Sequence, residues 1–229
     1  LESLLWMVWE YKTIENEKYY FDNSLDMNSL LSDLNTVDAW LFRFGIDYKK
    51  ISEDKKYNLL NLNKYKPQDS LFSKITQAKR RGKLLLFHPY SANVNKSIPQ
   101  NIAIELLKEL LLKLEDYIVV STLLLDSKIK DDNYIDLSKE SKTIEDFSYI
   151  ISLVDKIITA DTSTYHISDA FMIPTIVIFT DSNFGNKVKY YRYIKPIFIK
   201  DESKNLSQFI YENDNLTFNK FESWKRLRA

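Results

Sequence analysis

The sequence contains no cysteine, only three glycines and only five prolines in 229 residues, and each shortage excludes a class of protein. Without cysteine the chain has no disulfide bond, no thiolate metal site and no cysteine nucleophile. The scarcity of glycine and proline excludes collagen-like chains and long flexible linkers. Hydrophobic residues make up 45% of the chain, which is enough to bury a real core. We therefore expect one large globular domain, or one domain with part of another.

Net charge is also missing, because 32 basic residues balance 32 acidic ones. Nucleic-acid-binding proteins usually present a net basic surface, so we expect no nucleic acid partner. The apolar stretch at the start is short, lies between Glu2 and Glu10 and has no basic flank, which excludes a secretory signal or a membrane span there. The first residue is leucine rather than methionine, so we interpret the chain as starting inside a longer polypeptide.

The pattern of hydrophobic residues divides the chain into three parts, residues 1–69, 70–210 and 211–229. The first part lacks a regular alternation of strands and helices, so we expect a partial, mostly helical segment. Its clearest features are one or two helices that end at Gly45 and a short strand at residues 57–62. The last part is an amphipathic basic tail, for which two alternatives stay open: packing onto the first part, or contact with an anionic membrane.

The middle part predicts a parallel sheet covered by helices on both faces. Its strands are unbroken apolar, β-branched runs, as expected for strands that are buried on both sides. Amphipathic helices separate them, and Thr143 and Asp146 form a capping-box-like helix start. The sequence therefore favours an α/β fold with a doubly wound, Rossmann-like parallel sheet. Strands are predicted at residues 83–87, 116–121, 134–137, 156–160, 174–179 and 193–200, and helices at 70–79, 99–114, 144–154, 167–172 and 206–211.

The stretch from Asp161 to His166 is the best candidate for a ligand site. It connects a buried strand to an apolar helix, so free backbone N–H groups and the positive end of the helix dipole lie at the carboxyl edge of the sheet. Three hydroxyl side chains follow Asp161, which is itself predicted to cap the helix. His166 shares a face with Thr162 and Ser163 and leans towards them. An ordinary capped helix with a satisfied surface histidine is the alternative interpretation.

Parallel strands bring further polar residues to the same edge. His88 directly follows one predicted strand, and Lys96 lies in the loop after it, whereas His166 follows another strand. Asp126 follows a third strand and is placed to accept hydrogen bonds from ribose or sugar hydroxyl groups. Each residue alone has a plain structural explanation as a turn cap or a solvated charge. A cation, a helix N-terminus and hydroxyl groups that converge on one cleft nevertheless suit a phosphate or a diphosphate.

Four motifs at this edge resemble those of glycosyltransferase family nine, the ADP-heptose:lipopolysaccharide heptosyltransferases and their relatives. Residues 88–91 resemble the family's His-Pro-Gly-Ala/Ser strand end, and residues 96–99 its Lys-x-Trp-Pro helix entry. Residues 161–166 resemble its Asp-(Ser/Thr)-Gly-x-x-His motif, and residues 170–175 the Ala-x-Gly-x-Pro-Thr that follows. The order and spacing of the four motifs agree over residues 84–179.

The resemblance implies the C-terminal, donor-binding half of a GT-B fold, with residues 1–69 as part of the acceptor-side domain. It further implies an inverting, metal-independent glycosyltransferase that uses a nucleotide-diphosphate sugar and no cofactor, heptosyltransferase-like, in bacterial cell-surface glycan or lipopolysaccharide synthesis. Its acceptor would be a glycan, a lipid-linked sugar or a protein. Its location would be cytoplasmic, or peripheral to the inner membrane. In agreement with the metal-independent expectation, the sequence contains no Asp-x-Asp signature for a bridging cation.

The resemblance also assigns roles to residues at this edge. Lys96 and the helix start at Thr162 and Ser163 are implied to hold the donor diphosphate, where cationic and N–H contacts stabilise the leaving nucleoside diphosphate. Asp161 and His166 are implied to contact phosphate or sugar. The complete set of predicted donor-binding residues is Lys96, Asp161, Thr162, Ser163, His166, Asp126 (at the nucleoside), His88 and Ser91.

The chain also departs from the family pattern. Ser163 and Tyr90 stand where the family has glycines, and Ile98 where it has tryptophan, so the backbone at Ser163 is less able to approach a phosphate closely. The family's glycine-rich first loop and catalytic carboxylate precede anything in these residues, and we nominate no catalytic base. The alternative function is therefore a catalytically silent nucleotide-sugar-binding or scaffolding domain. A third alternative is a flavodoxin-like α/β module without sugar chemistry.

Overall fold

The computed structural model describes residues 34–126 and 128–200. The features predicted before residue 34 and after residue 200, including the 206–211 helix and the basic tail, lie outside the described residues. Within the described part, no helix is long and apolar enough to cross a membrane.

Strands and helices alternate through the middle of the chain, as the sequence pattern predicts. The strands of the described part are β1 (Lys83–His88), β2 (Tyr117–Ser121), β3 (Tyr134–Asp136), β4 (Lys156–Ala160), β5 (Thr175–Phe179) and β6 (Ile194–Phe198). Its helices are α1 (Thr36–Arg43), α2 (Asp69–Arg81), α3 (Gln100–Lys113), α4 (Ile144–Leu153), α5 (Ser163–Ala170) and α6 (Phe184–Val188), with single 3-10 turns at Tyr48–Lys50, Glu53–Lys55 and Val94–Lys96.

The six strands form one sheet in the order β3-β2-β1-β4-β5-β6, and every pair of neighbours is parallel. This is the strand order of a doubly wound Rossmann sheet, so the predicted fold class is confirmed. The chain winds outwards from β1 in one direction as far as β3, and then crosses back to β4 and winds in the other direction. The order therefore reverses between β1 and β4, which is where such sheets bind their ligands.

Helices cover both faces of the sheet. Along β1, Leu84 and Leu86 pack into a core with α2 and α4, whereas Leu85 and Phe87 pack into a second core with α3. All four side chains are at most 2% exposed. Burial on both faces explains why β1 has an unbroken apolar run rather than an alternating pattern.

Helix α4 starts with the capping box that the sequence predicts. The backbone N–H of Asp146 donates to the hydroxyl of Thr143 at 3.1 Å, and the N–H of Thr143 donates to the carboxylate of Asp146 at 3.0 Å. The reciprocal bonds satisfy two of the backbone donors that a helix start leaves unpaired. The side chains of Thr143 and Asp146 therefore cap the N-terminus of α4.

The segment before α2 contains no strand within its described residues, so the strand predicted at 57–62 is wrong. Side chains rather than strand pairing hold this segment: Asn58 donates to Asp169 of α5 at 3.1 Å, and the Tyr65 hydroxyl donates to Asp146. Gly45 ends α1 as predicted, with a φ of 73° that favours glycine.

A buried ion pair fixes α1 to the rest of the fold. The ammonium of Lys56 lies 2.6 Å from the carboxylate of Asp38, and the two side chains are only 5% and 6% exposed. The Tyr190 hydroxyl, which lies between α6 and β6, also donates to Asp38, at 2.9 Å. The segment before α2 is thus tied directly to the chain that follows β5.

Candidate functional site

The two segments singled out in the sequence lie side by side at the carboxyl edge of the sheet. His88 at the end of β1 pairs in register with Thr159 of β4, and the Thr159 hydroxyl donates to the His88 carbonyl at 3.0 Å. The loop after β1 and the turn after β4 therefore leave the sheet together. The sequence prediction that they share one edge is confirmed, and they share it at the switch point of the strand order.

Asp161, the first residue after β4, is the centre of a charged cluster at this point. Its Oδ2 atom lies 2.7 Å from the ammonium of Lys187 and 3.4 Å from the ammonium of Lys96. Lys187 also reaches Asp181, which follows β5, at 2.9 Å. Two cations and two carboxylates thus meet at the ends of adjacent strands. Asp161 is only 5% exposed, whereas the Lys96 side chain is 37% exposed.

Helix α5 begins at Ser163, and its N-cap residue lies one position later than predicted. Thr162, rather than Asp161, is the N-cap residue, and within the described part of the chain its side chain makes no capping hydrogen bond. The carboxylate of Asp161 is engaged by the two lysines instead, which is why the predicted cap is wrong. In contrast to α4, the first turn of α5 keeps its backbone donors free of a side-chain cap, so the positive end of its dipole is available to an anion.

Thr164 adds an unusual polar atom to this turn. Its side chain is fully buried, and its hydroxyl has no hydrogen-bond partner among the described residues. A buried hydroxyl without a partner costs free energy, so such atoms are rare in folded proteins. The unpaired hydroxyl lies within the first turn of the helix that the sequence nominates for an anion.

The loop that carries Lys96 is held by its own hydrogen bonds. The Thr180 hydroxyl, after β5, donates to the Asn95 carbonyl at 2.6 Å, and the Ser97 hydroxyl donates to the Ser91 carbonyl at 3.0 Å. The Ser91 hydroxyl accepts from the Asn93 N–H at 3.4 Å. In this structure Ser91, predicted to bind the donor, therefore helps to shape the loop that presents Lys96.

His88 lies beneath the rim rather than on it. Its side chain is buried, its Nδ1 lies 2.9 Å from the Thr122 hydroxyl, and its ring packs against Phe147. Burial lowers the pKa of His88 to about 4, so the ring is neutral at neutral pH. In this structure His88, predicted to bind the donor, therefore packs inside the protein below the edge of the sheet.

His166 projects from the second turn of α5 towards a separate cleft. Its Nδ1 contacts the Tyr191 hydroxyl, and its ring lies against the ring of Tyr165. Burial lowers the pKa of His166 to about 4; the charge of Asp161 opposes this shift, and Lys96 and Lys187 add to it. His166 is therefore neutral at neutral pH, and it can exchange hydrogen bonds with a ligand but cannot add a positive charge.

The cleft next to His166 has a volume of about 730 Å³. It lies between α5, the start of α4 and residues 60–65 of the segment before α2. Ser163 and His166 line its α5 side, and Glu145 and Ser148 line its α4 side. Ser163 borders both this cleft and the uncapped helix start, so a ligand held at the start of α5 has space to extend into the cleft.

Asp126 lies in the loop after β2, and within the described part of the chain it accepts hydrogen bonds from that loop alone. Its carboxylate accepts from the Lys128 N–H at 2.9 Å, which closes a local turn. It also faces the loop after β1: burial, and to a smaller extent the charges of Tyr134 and Asp126, raise the pKa of Tyr90. Asp126 is thus at the predicted edge, next to the β1 loop rather than in the lysine cluster.

Sequence reasoning missed Lys187, Asp181 and Tyr191. Asp181 follows β5 almost directly, and β5 is the neighbour of β4, so the rule that parallel strands end at one edge applied to it as well. Lys187 and Tyr191 lie further along, on and after α6, and their positions depend on how that short helix packs against Phe179. Spacing in the sequence alone gives no signal for those two residues.

Fold and site together define a Rossmann-type α/β protein whose switch point holds two lysines, two aspartates and the positive end of a helix dipole. The charges of the cluster cancel, yet Lys96 is exposed and only loosely paired. An ammonium has three donors, so Lys96 can bind a ligand oxygen at little cost. Together with the uncapped α5 start, this arrangement suits a phosphate or diphosphate group.

No protein-family profile and no curated protein matches the chain in sequence. Solved structures do match its fold. A glycosyl transferase family 9 protein from Veillonella parvula shares 10% sequence identity at a TM-score of 0.54, over 96% of this chain and 63% of that one. The E. coli ADP-heptose lps heptosyltransferase II shares 15% identity at a TM-score of 0.46, over 71% and 52% of the two chains. E. coli heptosyltransferase WaaC, solved with ADP, shares 13% identity at 0.43, over 56% and 42%.

At these sequence identities the comparisons are informative about the fold alone. The comparison with the Veillonella structure is the one with a TM-score above 0.5, so the conclusion about the fold rests on it. The chain has a fold like that of a family 9 glycosyltransferase, as the four motifs predict. It spans between 42% and 63% of the lengths of these three structures.

Proposed function

We propose that this chain is the nucleotide-sugar-binding part of a glycosyltransferase. The observation that carries the proposal is the meeting of Lys96 and Asp161 at the switch point, beside a helix start that has no side-chain cap. Rossmann sheets of this strand order bind nucleotides there. The similarity in fold to a family 9 glycosyltransferase and the four sequence motifs support the same assignment.

The proposed ligand group at this point is the donor diphosphate. The backbone N–H groups of the first α5 turn and the Ser163 hydroxyl donate to the phosphate oxygens, and Lys96 supplies the cation. As the bond to the sugar breaks, negative charge grows on the leaving nucleoside diphosphate. Donors that are already in place stabilise this charge without reorganisation, which lowers the barrier to transfer. The sugar would extend past Ser163 into the cleft beside His166.

The finer features of the proposal come from the family resemblance. We propose transfer with inversion and without a metal, from a heptose-like or hexose-like donor, to a glycan, lipid-linked or protein acceptor. The setting would be cell-surface glycan or lipopolysaccharide synthesis in the cytoplasm, with peripheral contact to the inner membrane as an extension. A general base on the acceptor side would deprotonate the attacking hydroxyl.

A direct test is calorimetric titration with ADP, GDP, UDP and their sugar conjugates. At a hundredfold excess over Kd, a ligand that binds only the folded state also adds about 2.7 kcal/mol to the free energy of unfolding. We expect one nucleotide series to bind, with the diphosphate tighter than the monophosphate. A complete lack of binding and of thermal protection for all three series would leave the flavodoxin-like alternative.

The alternative is a nucleotide-sugar-binding domain without turnover. It is favoured by the state of the two carboxylates next to the start of α5: Asp161 and Asp181 both pair with Lys187, so neither is free to act as a base. Release of nucleoside diphosphate from a bound donor, measured with and without a glycan acceptor, separates the two functions. Acceptor-dependent release supports the transferase, and tight donor binding without release supports the silent domain.

A further inference from the structure

Lys187 is a charged residue at the switch point, and the proposed site gives it no role. Its ammonium lies 2.7 Å from Asp161 and 2.9 Å from Asp181, and its side chain is 20% exposed. It also lies 5.8 Å from the centre of the Phe179 ring. Burial alone would lower the pKa of Lys187, but the two carboxylates outweigh it and raise the pKa, so Lys187 stays charged.

The two lysines of the cluster differ in how firmly they are held. Both approach the same oxygen, Oδ2 of Asp161, but Lys187 does so at 2.7 Å and Lys96 at 3.4 Å. Lys187 has a second carboxylate partner and is mostly buried, whereas Lys96 is 37% exposed. Lys96 therefore retains donors for a ligand, and Lys187 is committed to the protein.

The position of Asp161 makes this difference important. Its carboxylate directly precedes the N-terminus of α5 and is almost fully buried. Without a firm cation partner it would repel a diphosphate and would compete with it for Lys96 and for the helix dipole. A buried carboxylate is also costly unless it is paired.

We propose that Lys187 is a positioning residue for the diphosphate site: it neutralises Asp161, which leaves Lys96 free to bind the diphosphate. This inference rests on the proposed function. Lys187 acts through Asp161 and does not itself touch the phosphates.

A double-mutant cycle measured by calorimetry tests this role, with inorganic pyrophosphate, ADP, GDP and UDP as probes. Lys187→Met is expected to weaken diphosphate binding about tenfold, because Lys96 is then drawn onto Asp161. In the Asp161→Asn background the same substitution is expected to change affinity less than about twofold, because the carboxylate that approaches Lys96 is absent and only the more exposed Asp181 loses its cation. Lys113→Met, at an exposed lysine on α3, is the matched control and should leave affinity unchanged.

Lys187→Gln keeps hydrogen-bond donors without the charge, and it provides a second variant if Lys187→Met does not fold. Lys187→Arg keeps the charge and should retain affinity within about threefold of wild type. Equal losses on removing Lys187 in the wild-type and Asp161→Asn backgrounds would overturn the proposal, because Lys187 would then bind the ligand directly. Affinity for Lys187→Gln equal to that of the Lys113 control would overturn it too. If the wild-type protein binds none of the probes, the proposed function itself fails. If the wild-type protein binds them but the Lys187 variants give either of these two results, only the role of Lys187 fails.

Discussion

The ammonium of Lys96 and the carboxylate of Asp161 lie 3.4 Å apart, although one follows β1 and the other follows β4. The contact exists because both strands run parallel and end at the same edge, with His88 and Thr159 in register. It places a loosely held cation next to the start of a helix. The proposed diphosphate site depends on this contact.

The unpaired hydroxyl of Thr164 leads to a prediction about stability. Thr164→Val is expected to raise the free energy of unfolding by about 1 kcal/mol, because it removes a buried polar atom that has no partner in the described structure. Thr159→Val is the matched control: its hydroxyl donates to the His88 carbonyl, so its loss should destabilise by about 1 kcal/mol. Urea denaturation measures both. A Thr164→Val protein that is less stable than wild type would show that the hydroxyl has a partner after all.

The starts of α4 and α5 should respond differently to loss of their cap residues. Thr143→Ala removes a capping hydrogen bond of 3.1 Å and is expected to cost about 1 kcal/mol. Thr162→Ala removes a side chain that caps nothing in the described structure, so it should change stability by less than about 0.5 kcal/mol. Chemical denaturation of the two variants provides the comparison. Equal costs would mean that the α5 start is capped in solution and is not available to a ligand.

Burial of His88 predicts that the protein loses stability in mild acid. The folded state holds the pKa of His88 at about 4, below the value of 6.5 expected when unfolded. The unfolded state therefore binds a proton first, and stability is full above pH 6.5 and falls as the pH drops towards 4. Between pH 7.5 and pH 5 this group accounts for a loss of about 2 kcal/mol. His88→Gln should flatten the dependence by that amount in denaturation curves at the two pH values. An unchanged slope would contradict the assignment.

The fold was largely predictable from the sequence because burial on both faces leaves a strong signal. The central strands β1, β2 and β5 are nearly unbroken apolar runs, and the Thr143 capping box marks the start of α4 through contacts between residues close in sequence. The strand predicted at residues 57–62 failed for the opposite reason. Nothing local distinguishes an apolar strand from an extended segment, and this one is held by side chains such as Asn58.

The candidate site was predictable only in part. Asp161 directly follows β4 and Lys96 lies in the loop after β1, so the parallel pairing of the two strands predicted that both residues lie at one edge. The cap of α5 was predicted at Asp161, but two lysines compete for that carboxylate, and one of them comes from α6. Lys187 reaches the site because α6 packs back over β5. This packing depends on tertiary contacts, so it could not be predicted from the sequence around Lys187. His88 was expected just after the end of β1, where it could contact a ligand. It is instead the last residue of β1, in register with Thr159 of β4, and its side chain is buried.

The proposed diphosphate site depends on Lys96 more than on any other side chain, so its contribution to binding should be measured. Binding of the preferred nucleoside diphosphate and of its nucleoside should be measured by calorimetry for wild type, Lys96→Ala and the surface control Lys113→Ala. We expect Lys96→Ala to weaken diphosphate binding by about tenfold or more, to leave nucleoside binding unchanged, and to differ clearly from the control. Diphosphate affinity in Lys96→Ala equal to that of Lys113→Ala, with the fold intact, would contradict the diphosphate site.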